Sequence, residues 1–177
     1  TIDELTGLST RRHFFAQARS RLDARPADDG SIGLLMLDLD GFKQINDRFG
    51  HGVGDRALAH FGETLRRGLS PADLAGRYGG EEFCALLRRD SEDEIWACAE
   101  AIRRAVADNP LLADGQAIPM TVSIGLSSTR EAASLEDLLV IADRRVYLAK
   151  SMGRDQIVDR RTVQPRTARP SADPVRI

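Results

Sequence analysis

Few residues of this chain are suited to redox chemistry or to zinc binding. Of its 177 residues, only two are cysteines and three are histidines. Cys84 and Cys98 both lie in apolar patterns, which predicts two buried free thiols rather than a disulfide and favours a reducing compartment. The scattered histidines do not form a zinc-binding constellation. Any bound metal is therefore expected to be a hard cation held by carboxylates.

Long apolar runs and a strong net charge are also missing. No run approaches the roughly 18 apolar residues of a membrane span, and the opening stretch lacks the basic and then apolar pattern of a signal peptide. The formal net charge of −2 at pH 7 predicts no broad attraction to nucleic acid or to an anionic membrane. A phosphate-bearing ligand would therefore need a local binding site.

The order of apolar patterns predicts one domain with an α/β (α+β) fold. Helical periodicity is found near residues 10–24, from Asp55 onward, and over 91–109 and 134–150, with a short helical turn after Phe42. Strand patterns cover 31–40, 118–128 and 155–159, and residues 74–89 read as a β-hairpin around two glycines. The uninterrupted apolar centre of 31–40 predicts a strand buried on both faces. We expect a central mixed β-sheet flanked by helices.

The last 19 residues differ in composition from the rest of the chain. Residues 159–177 hold three of the seven prolines, five arginines and no aromatic side chain. A segment of this composition lacks the apolar side chains needed to build a core. We therefore expect a domain over residues 1–158, followed by a flexible Pro/Arg-rich tail or linker over 159–177.

The stretch LDLDGFKQIND combines two carboxylates with a glycine-containing turn. Alternation along a strand places Asp38 and Asp40 on one face, and a carboxylate in an apolar strand is costly unless it is paired or bound to a cation. Gly41 and Phe42 lead into a helix whose free N–H groups suit a phosphate. The pattern indicates a nucleotide–metal site. The alternative is that both carboxylates simply meet solvent or cap the next turn.

The stretch RYGGEEF places Glu81 and Glu82 next to each other after two glycines. In an extended chain these side chains point to opposite sides, so one can face the Asp38 region while the other has a different task. The alternative is an ordinary solvated acidic turn.

Two further stretches suggest recognition of a guanine nucleotide. Asn46 and Asp55 flank a glycine-rich segment that lacks Walker A and dinucleotide-binding spacing, and their donors and acceptors complement a guanine edge. Asp55 is also a suitable helix N-cap. Lys150 and Arg154 are spaced to clamp a triphosphate, although cations near a helix C-terminus are favoured without any ligand.

Five stretches resemble, in order and spacing, the GGDEF family, the diguanylate cyclase domain of bacterial signalling proteins. They are DELTGLSTRR, DLDGFKQINDRFGHGVGD, RYGGEEF, TVSIGL and ADRRVYLAKSMGR, which lie within residues 3–158. The resemblance implies condensation of two GTP molecules into cyclic di-GMP, with release of pyrophosphate. It also implies a fold similar to nucleotidyl cyclases and polymerase palms, with the signature on a β-hairpin.

The resemblance implies a metal site and a set of substrate contacts. Asp38, the Leu39 carbonyl and Glu81 would bind Mg²⁺, with Mn²⁺ as an alternative. Glu81 would also help to remove the 3′-hydroxyl proton, and Glu82, the second catalytic carboxylate, would lie nearby and assist a second metal ion. The residues implied in substrate binding are Asn46 and Asp55 on guanine, His51 close to the substrate, and Phe42, Lys43, Lys150 and Arg154 on the phosphates.

The chain departs from the family pattern at three positions. Ser70 replaces the arginine of the RxxD product-inhibition motif while Asp73 is retained, so the inhibitory site is expected to be degenerate, with Arg66 or Arg67 as partial substitutes. Asp155 stands where the family usually has asparagine and is expected to weaken GTP binding slightly. Thr10 replaces a common asparagine, a change whose effect the sequence does not indicate.

The resemblance further implies that catalysis needs a homodimer with the site shared across its interface. It implies an upstream sensor or dimerisation segment, so that the isolated domain is largely monomeric and slow. We expect the catalytic domain in the cytoplasm, with attachment of the whole protein to a membrane as an open alternative. Two competing functions are a GTP-sensing scaffold domain and a cyclase that makes a different cyclic nucleotide; the intact GGEEF stretch argues against the first, and Asp55 against the second.

Overall fold

The computed structural model describes residues 1–24 and 30–163. The strands are β1 (Ser9–Thr10), β2 (Ser31–Leu39), β3 (Leu74–Arg77), β4 (Glu82–Arg89), β5 (Leu111–Ala113), β6 (Gln116–Ile118), β7 (Val122–Ser128) and β8 (Ile157–Val158). The helices are α1 (Arg11–Asp23), α2 (Phe42–Phe49), α3 (His51–Gly68), α4 (Glu92–Asp108), α5 (Leu135–Ser151) and α6 (Arg160–Val163).

A six-stranded mixed sheet forms the centre of the domain, in the order β1-β3-β4-β2-β7-β8. Strand β2 pairs antiparallel with both β4 and β7, whereas β1 pairs parallel with β3 and β8 parallel with β7. Strands β3 and β4 form the predicted hairpin around the two glycines. The predicted mixed sheet with flanking helices is confirmed.

Strand β2 is buried along its whole length of nine residues, as its apolar pattern predicts. Leu35 and Leu37 pack into a core formed with α3 and α4, whereas Leu34 and Met36 pack into a second core formed with α1 and α5. Because side chains alternate along a strand, Asp38 belongs with the second set and lies on the α5 side, at the carboxyl end of β2. The packing of helices on both faces of the sheet thus places the Asp38 carboxylate at the edge between the sheet and α5.

Helix α3 begins four residues earlier than the sequence predicts. Its N-cap is Gly50, whose φ of 87° lies in the left-handed region that glycine tolerates, so the helix starts at His51. The predicted N-cap role of Asp55 is therefore wrong, and Asp55 lies exposed in the second turn of the helix. The prediction failed because the glycines of this segment read as a loop, whereas Gly54 is a buried helical position.

The predicted tail also begins too early. Asp159 is only 4% exposed and accepts hydrogen bonds from the backbone N–H groups of Arg161 and Thr162 at 3.0 Å each. Arg160 pairs with Glu92 of α4 at 2.6 Å, which attaches α6 to the sandwich. The remainder of the predicted tail, residues 164–177, lies outside the described residues.

Two smaller features complete the fold. Both cysteines are free, but only Cys84 is buried; Cys98 is half-buried, which corrects the prediction for that thiol. Burial raises the pKa of Cys84 far above its usual value, so its thiol stays protonated. Within residues 1–24 and 30–163, no helix is both long and apolar enough to cross a membrane.

Candidate functional site

The two glycines of the signature stretch form a turn that is held by Arg77. The Arg77 guanidinium donates from Nε to the Gly79 carbonyl at 3.2 Å and from Nη2 to the Gly80 carbonyl at 2.9 Å. Its remaining nitrogen lies 3.3 Å from Asp3 Oδ2. The first motif of the chain therefore buttresses the turn, which fixes the backbone just before the two glutamates.

Asp38 lies beside this turn because of the strand register. In the antiparallel pairing of β2 with β4, Asp38 is directly opposite Glu82, and directly paired residues project to the same face. Burial raises the pKa of Asp38; the Lys150 ammonium opposes this shift, and the Glu81 and Asp40 carboxylates reinforce it. The structure thus brings Asp38, Glu81 and Glu82 into one electrostatically coupled group.

Glu82 is also part of this group. A further carboxylate that acts on it, that of Asp143, was not predicted from the sequence. Burial raises the pKa of Glu82, and the charges of Asp38, Asp143 and Glu81 raise it further. Asp143 is exposed on α5 two helical turns before Lys150, and so lies on the same side of that helix. That seven-residue spacing was the available sequence signal for Asp143. Clustered acidic groups of this kind favour a bound cation, because each ionised carboxylate disfavours the next.

The cation nearest to Asp38 in the structure is Lys150. Its Nζ lies 2.6 Å from Asp38 Oδ1, and this oxygen is buried without a directed hydrogen bond. A buried carboxylate oxygen that a lysine ammonium neutralises is a suitable ligand for a divalent ion. Among the described residues, no three His, Cys, Asp or Glu side chains form a group that could hold a metal ion. A divalent ion beside Asp38 would therefore need further ligands, such as substrate phosphates.

Asp40 behaves differently from Asp38, although the sequence pairs them. Its Oδ1 accepts a hydrogen bond from Ser123 at 2.7 Å, and its Oδ2 accepts from the Thr121 hydroxyl at 2.8 Å and from the Asp155 N–H at 3.0 Å. With both oxygens engaged, Asp40 ties β2 to β7 and to the turn before β8. Its role here is to hold the local structure, whereas Asp38 is the carboxylate of this pair whose Oδ1 faces a cation, the Lys150 ammonium.

The residues predicted to recognise guanine lie at the junction of α2 and α3. Asn46 is half-buried on α2 and rests against Gly54 of α3, where an added Cβ would overlap its side chain. His51 and Asp55 are both exposed on the first two turns of α3. The short α2–α3 connection at Gly50 therefore places these three side chains on neighbouring helical turns.

The residues predicted to hold phosphates flank the carboxylates from two sides. Helix α2 begins at Phe42 after Gly41, whose φ of 67° is left-handed, and the Phe42 ring packs against the apolar core. Phe42 can therefore offer its backbone rather than its side chain to a ligand. Lys43 is exposed on the same turn, and Arg154 is exposed after the end of α5.

The residues of the predicted inhibitory motif form contacts with other residues of the domain. Arg89 forms a two-pronged ion pair with Asp73, at 2.8 Å for each prong, and Ser70 donates its N–H and hydroxyl to the same carboxylate. Arg66 contacts Glu63 instead, and Arg67 does so at 2.7 Å.

Comparison with known proteins identifies the family. The sequence profile described as diguanylate cyclase, GGDEF domain, matches residues 1–156. Diguanylate cyclase A of Treponema denticola is 34% identical over 89% of this chain, and the response regulator PleD of Caulobacter vibrioides is 38% identical over 88%. The matched segments cover 43% and 35% of those two proteins, so the chain spans less than half of their length.

Solved structures agree with this identification. The GGDEF domain of TpbB (YfiN) from Pseudomonas aeruginosa superposes with a TM-score of 0.85 at 32% identity, covering 90% of this chain and 94% of that one. The diguanylate cyclase SiaD from the same organism, solved with its activator SiaC, gives 0.83 at 34% identity, covering 89% and 61% of the two chains. With its profile match, its sequence relatives and its fold in agreement, the chain belongs to the diguanylate cyclase GGDEF domain family.

Proposed function

We propose that this domain condenses two GTP molecules into cyclic di-GMP and two pyrophosphates. The observation that carries the proposal is the cluster of Asp38, Glu81 and Glu82, formed where β2 ends beside an intact glycine turn. Such a cluster is suited to a divalent cation and to a nucleotide triphosphate, and the family relationship supplies the reaction class.

In this proposal Asp38, the Leu39 carbonyl and Glu81 hold a divalent ion, Mg²⁺ or alternatively Mn²⁺. The buried Asp38 oxygen, which has no directed hydrogen bond, supports this assignment. The ion would neutralise the charge that develops on the phosphate. Lys150, which contacts Asp38, would be displaced from it by the ion and would then be able to reach the triphosphate.

The chain's own residues would position and activate the substrate. Glu81, supported by Glu82, accepts the proton of the ribose 3′-hydroxyl of one GTP. As the proton leaves, the oxygen of that hydroxyl bonds to the α-phosphorus of the second GTP. The bond to pyrophosphate breaks in the same step, and a second identical step closes the ring. The substrate contacts in this proposal are Asn46, Asp55 and His51 around the base, and Phe42, Lys43, Lys150 and Arg154 around the phosphates.

Each domain offers one such site, so catalysis requires two domains that face each other as a homodimer. We propose that an upstream sensor or dimerisation segment of the whole protein brings them together, in the cytoplasm, whether or not that protein is attached to a membrane. A role in nucleic-acid binding is not proposed, since the net charge of −2 provides no general attraction.

We also propose that feedback through the RxxD position is weak. Ser70 cannot offer the two-pronged cation of an arginine, and the Asp73 side chain is only 1% exposed because Arg89 holds it. Arg66 and Arg67 contact Glu63, which disfavours them as substitutes.

Product analysis tests the proposed reaction. The domain, fused to a parallel coiled coil that dimerises it, is incubated with GTP and Mg²⁺, and the nucleotides are separated by chromatography. We expect cyclic di-GMP, and we expect Glu81→Gln and Asp38→Asn each to lower the rate by about 10²–10³-fold, the loss typical of a charge-stabilising group. A dimer that binds GTP without turnover would overturn the proposal in favour of nucleotide sensing.

Glu94→Gln is a matched control for the loss of one carboxylate. Glu94 is exposed on the first turn of α4, and its neighbour Ile95 lies against Gly33 at the start of β2, at the opposite end of that strand from Asp38. This variant is expected to keep full activity. An equimolar mixture of ATP and GTP tests the base: a mixed product would contradict guanine selection by Asn46 and Asp55.

A further inference from the structure

The turn that carries Arg154 has an unusual backbone. Gly153, Arg154 and Asp155 have φ values of 121°, 67° and 47°. Glycine adopts such angles freely, but Arg154 and Asp155 carry a Cβ and lie in the left-handed region at a cost in free energy. Consecutive residues of this kind persist only where their surroundings hold them.

Backbone and side-chain contacts hold this turn, among them one from Gln156, whose Nε2 donates to the Arg154 carbonyl at 3.2 Å. The Arg154 N–H donates to the Ala149 carbonyl at 2.9 Å, which ends α5. The Asp155 N–H donates to the buried Asp40 carboxylate at 3.0 Å. Finally, Arg103 Nη1 lies 2.7 Å from Asp155 Oδ1 and 3.4 Å from the Asp155 carbonyl. The last contact reaches across from α4 and engages both the side chain and the backbone of one residue.

The Arg103 guanidinium is held in position for this contact by Glu100. Glu100, one turn earlier on α4, accepts hydrogen bonds from Arg103 Nε and Nη2 at 2.8 Å each, so one edge of the guanidinium is fixed and Nη1 is directed at Asp155. The side chain is 19% exposed. The hydrogen bond with Glu100, followed by that with Asp155, raises the pKa of Arg103, so its charge is constant at all working pH values.

The charge of Asp155 is therefore compensated. Its replacement of the usual asparagine was expected to weaken phosphate binding through an added negative charge, but Arg103 pairs with that charge at 2.7 Å. Aspartate and asparagine are both among the residues that tolerate the left-handed region best. Asp155 thus satisfies the backbone requirement and gains an ion pair.

We propose that Arg103 is a positioning residue for nucleotide binding, because it holds Asp155 and thereby the left-handed turn that presents Arg154 to the triphosphate. This inference rests on the proposed function, in which Arg154 contacts phosphate. Arg103 itself touches no substrate in this scheme. A purely structural role would lower the stability of the fold without a selective loss of GTP affinity.

The test compares Arg103→Gln with Arg104→Gln in the coiled-coil-dimerised protein. Arg104 is the next residue on α4, contacts Glu100 at 2.7 Å and has a side chain that is 69% exposed, so it matches the lost charge at a position that faces solvent. For Arg103→Gln we expect the KM for GTP to rise about tenfold, as for one lost charge-assisted hydrogen bond, with little change in kcat. Equal KM values for the two variants would overturn the inference.

Variants at Asp155 provide a conservative-substitution test and a double-mutant cycle with Arg103. Asp155→Asn keeps an acceptor for Arg103 and tolerates the backbone angles, so its KM should stay close to that of the unmodified protein. Asp155→Ala loses both properties and should raise KM at least as much as Arg103→Gln does. Combining Arg103→Gln with Asp155→Ala should then add little, and full additivity of the two effects would contradict the proposed path.

A measurement without nucleotide separates this inference from the proposed function. Hydrogen exchange at the Arg154 and Asp155 amides should become faster in Arg103→Gln than in Arg104→Gln, while thermal unfolding confirms that both variants fold. Arg103→Lys, whose single ammonium cannot serve Glu100 and Asp155 together, should fall between them. If exchange responds but the unmodified dimer makes no cyclic product, the proposed function fails while the role of Arg103 in holding the turn stands. If exchange does not respond, the positioning role fails.

Discussion

The contact between Asn46 and Gly54 offers a test of guanine recognition in which the binding residue itself is unchanged. Gly54 is buried in α3, and a Cβ added there would overlap Asn46 Oδ1 and lie 2.9 Å from Asn46 Cγ. The Asn46 side chain must therefore rotate or shift in Gly54→Ala. Because Asn46 is proposed to contact the base, GTP affinity should fall although Asn46 is still present.

The magnitudes separate stability from binding. Alanine in place of a helical glycine stabilises a helix by about 1 kcal/mol, and forcing Asn46 from its preferred rotamer costs about 0.5–1.5 kcal/mol, so the free energy of unfolding should change little. Two neutral hydrogen bonds to guanine contribute about 2 kcal/mol together. Losing them corresponds to about a thirtyfold weaker affinity for GTP.

Calorimetric titration with a non-hydrolysable GTP analogue measures this loss, and Gly52→Ala is its control. Gly52 lies one half-turn earlier on α3 and has no atom within 4 Å of an added Cβ, so this variant should gain up to about 1 kcal/mol in stability and keep its affinity. If Gly54→Ala binds the analogue as tightly as Gly52→Ala does, Asn46 is not a guanine contact.

Further predictions concern charge and pH. Arg89→Gln leaves the Asp73 carboxylate, with its side chain 1% exposed, without its cation, and should lower the free energy of unfolding in urea by about 3 kcal/mol. Burial alone would raise the pKa of Asp73, but Arg89 and Ser70 outweigh it and lower it below 3.8; the Arg89 contribution should therefore be complete well above pH 3.8 and shrink as the pH falls below that value. Asp38→Asn should raise the free energy of unfolding of the inactive protein by about 1 kcal/mol at pH 7. Burial raises the pKa of Asp38 above 3.8, so ionisation of Asp38 destabilises the fold as the pH rises through that pKa. A gain in stability that persists below pH 3.8 would contradict this cause. Cyclic di-GMP added at the concentration of GTP should leave the initial rate unchanged, and strong inhibition would refute the degenerate inhibitory site.

Much of the fold could be predicted because most of its helices and strands have a recognisable pattern within their own stretch of sequence. The apolar run of β2 predicts burial on both faces, and the helical pattern over 91–109 matches α4, whose N-cap Ser91 accepts from the Glu94 N–H. Strands β1, β5 and β6 were not predicted, since two or three residues are too few to show a period. The start of α3 was misplaced because its glycines read as a loop, whereas Gly54 is a glycine in a helix at a point where Asn46 of α2 leaves no room for a Cβ.

The sequence by itself determined the kind of chemistry this protein is built for: adjacent carboxylates at a glycine turn, a carboxylate at the end of an apolar strand, and cations after the last long helix. Those features are local, and local spacing is enough to recognise them. Only the tertiary structure decided what each charged group contacts. Asp40 accepts hydrogen bonds from three donors, whereas Oδ1 of Asp38 pairs with the Lys150 ammonium. Arg89 pairs with Asp73, and Arg103 pairs with Asp155, which lies 52 residues away in the chain. These partners are far apart in sequence, and strand register and helix packing, rather than periodicity, bring them together.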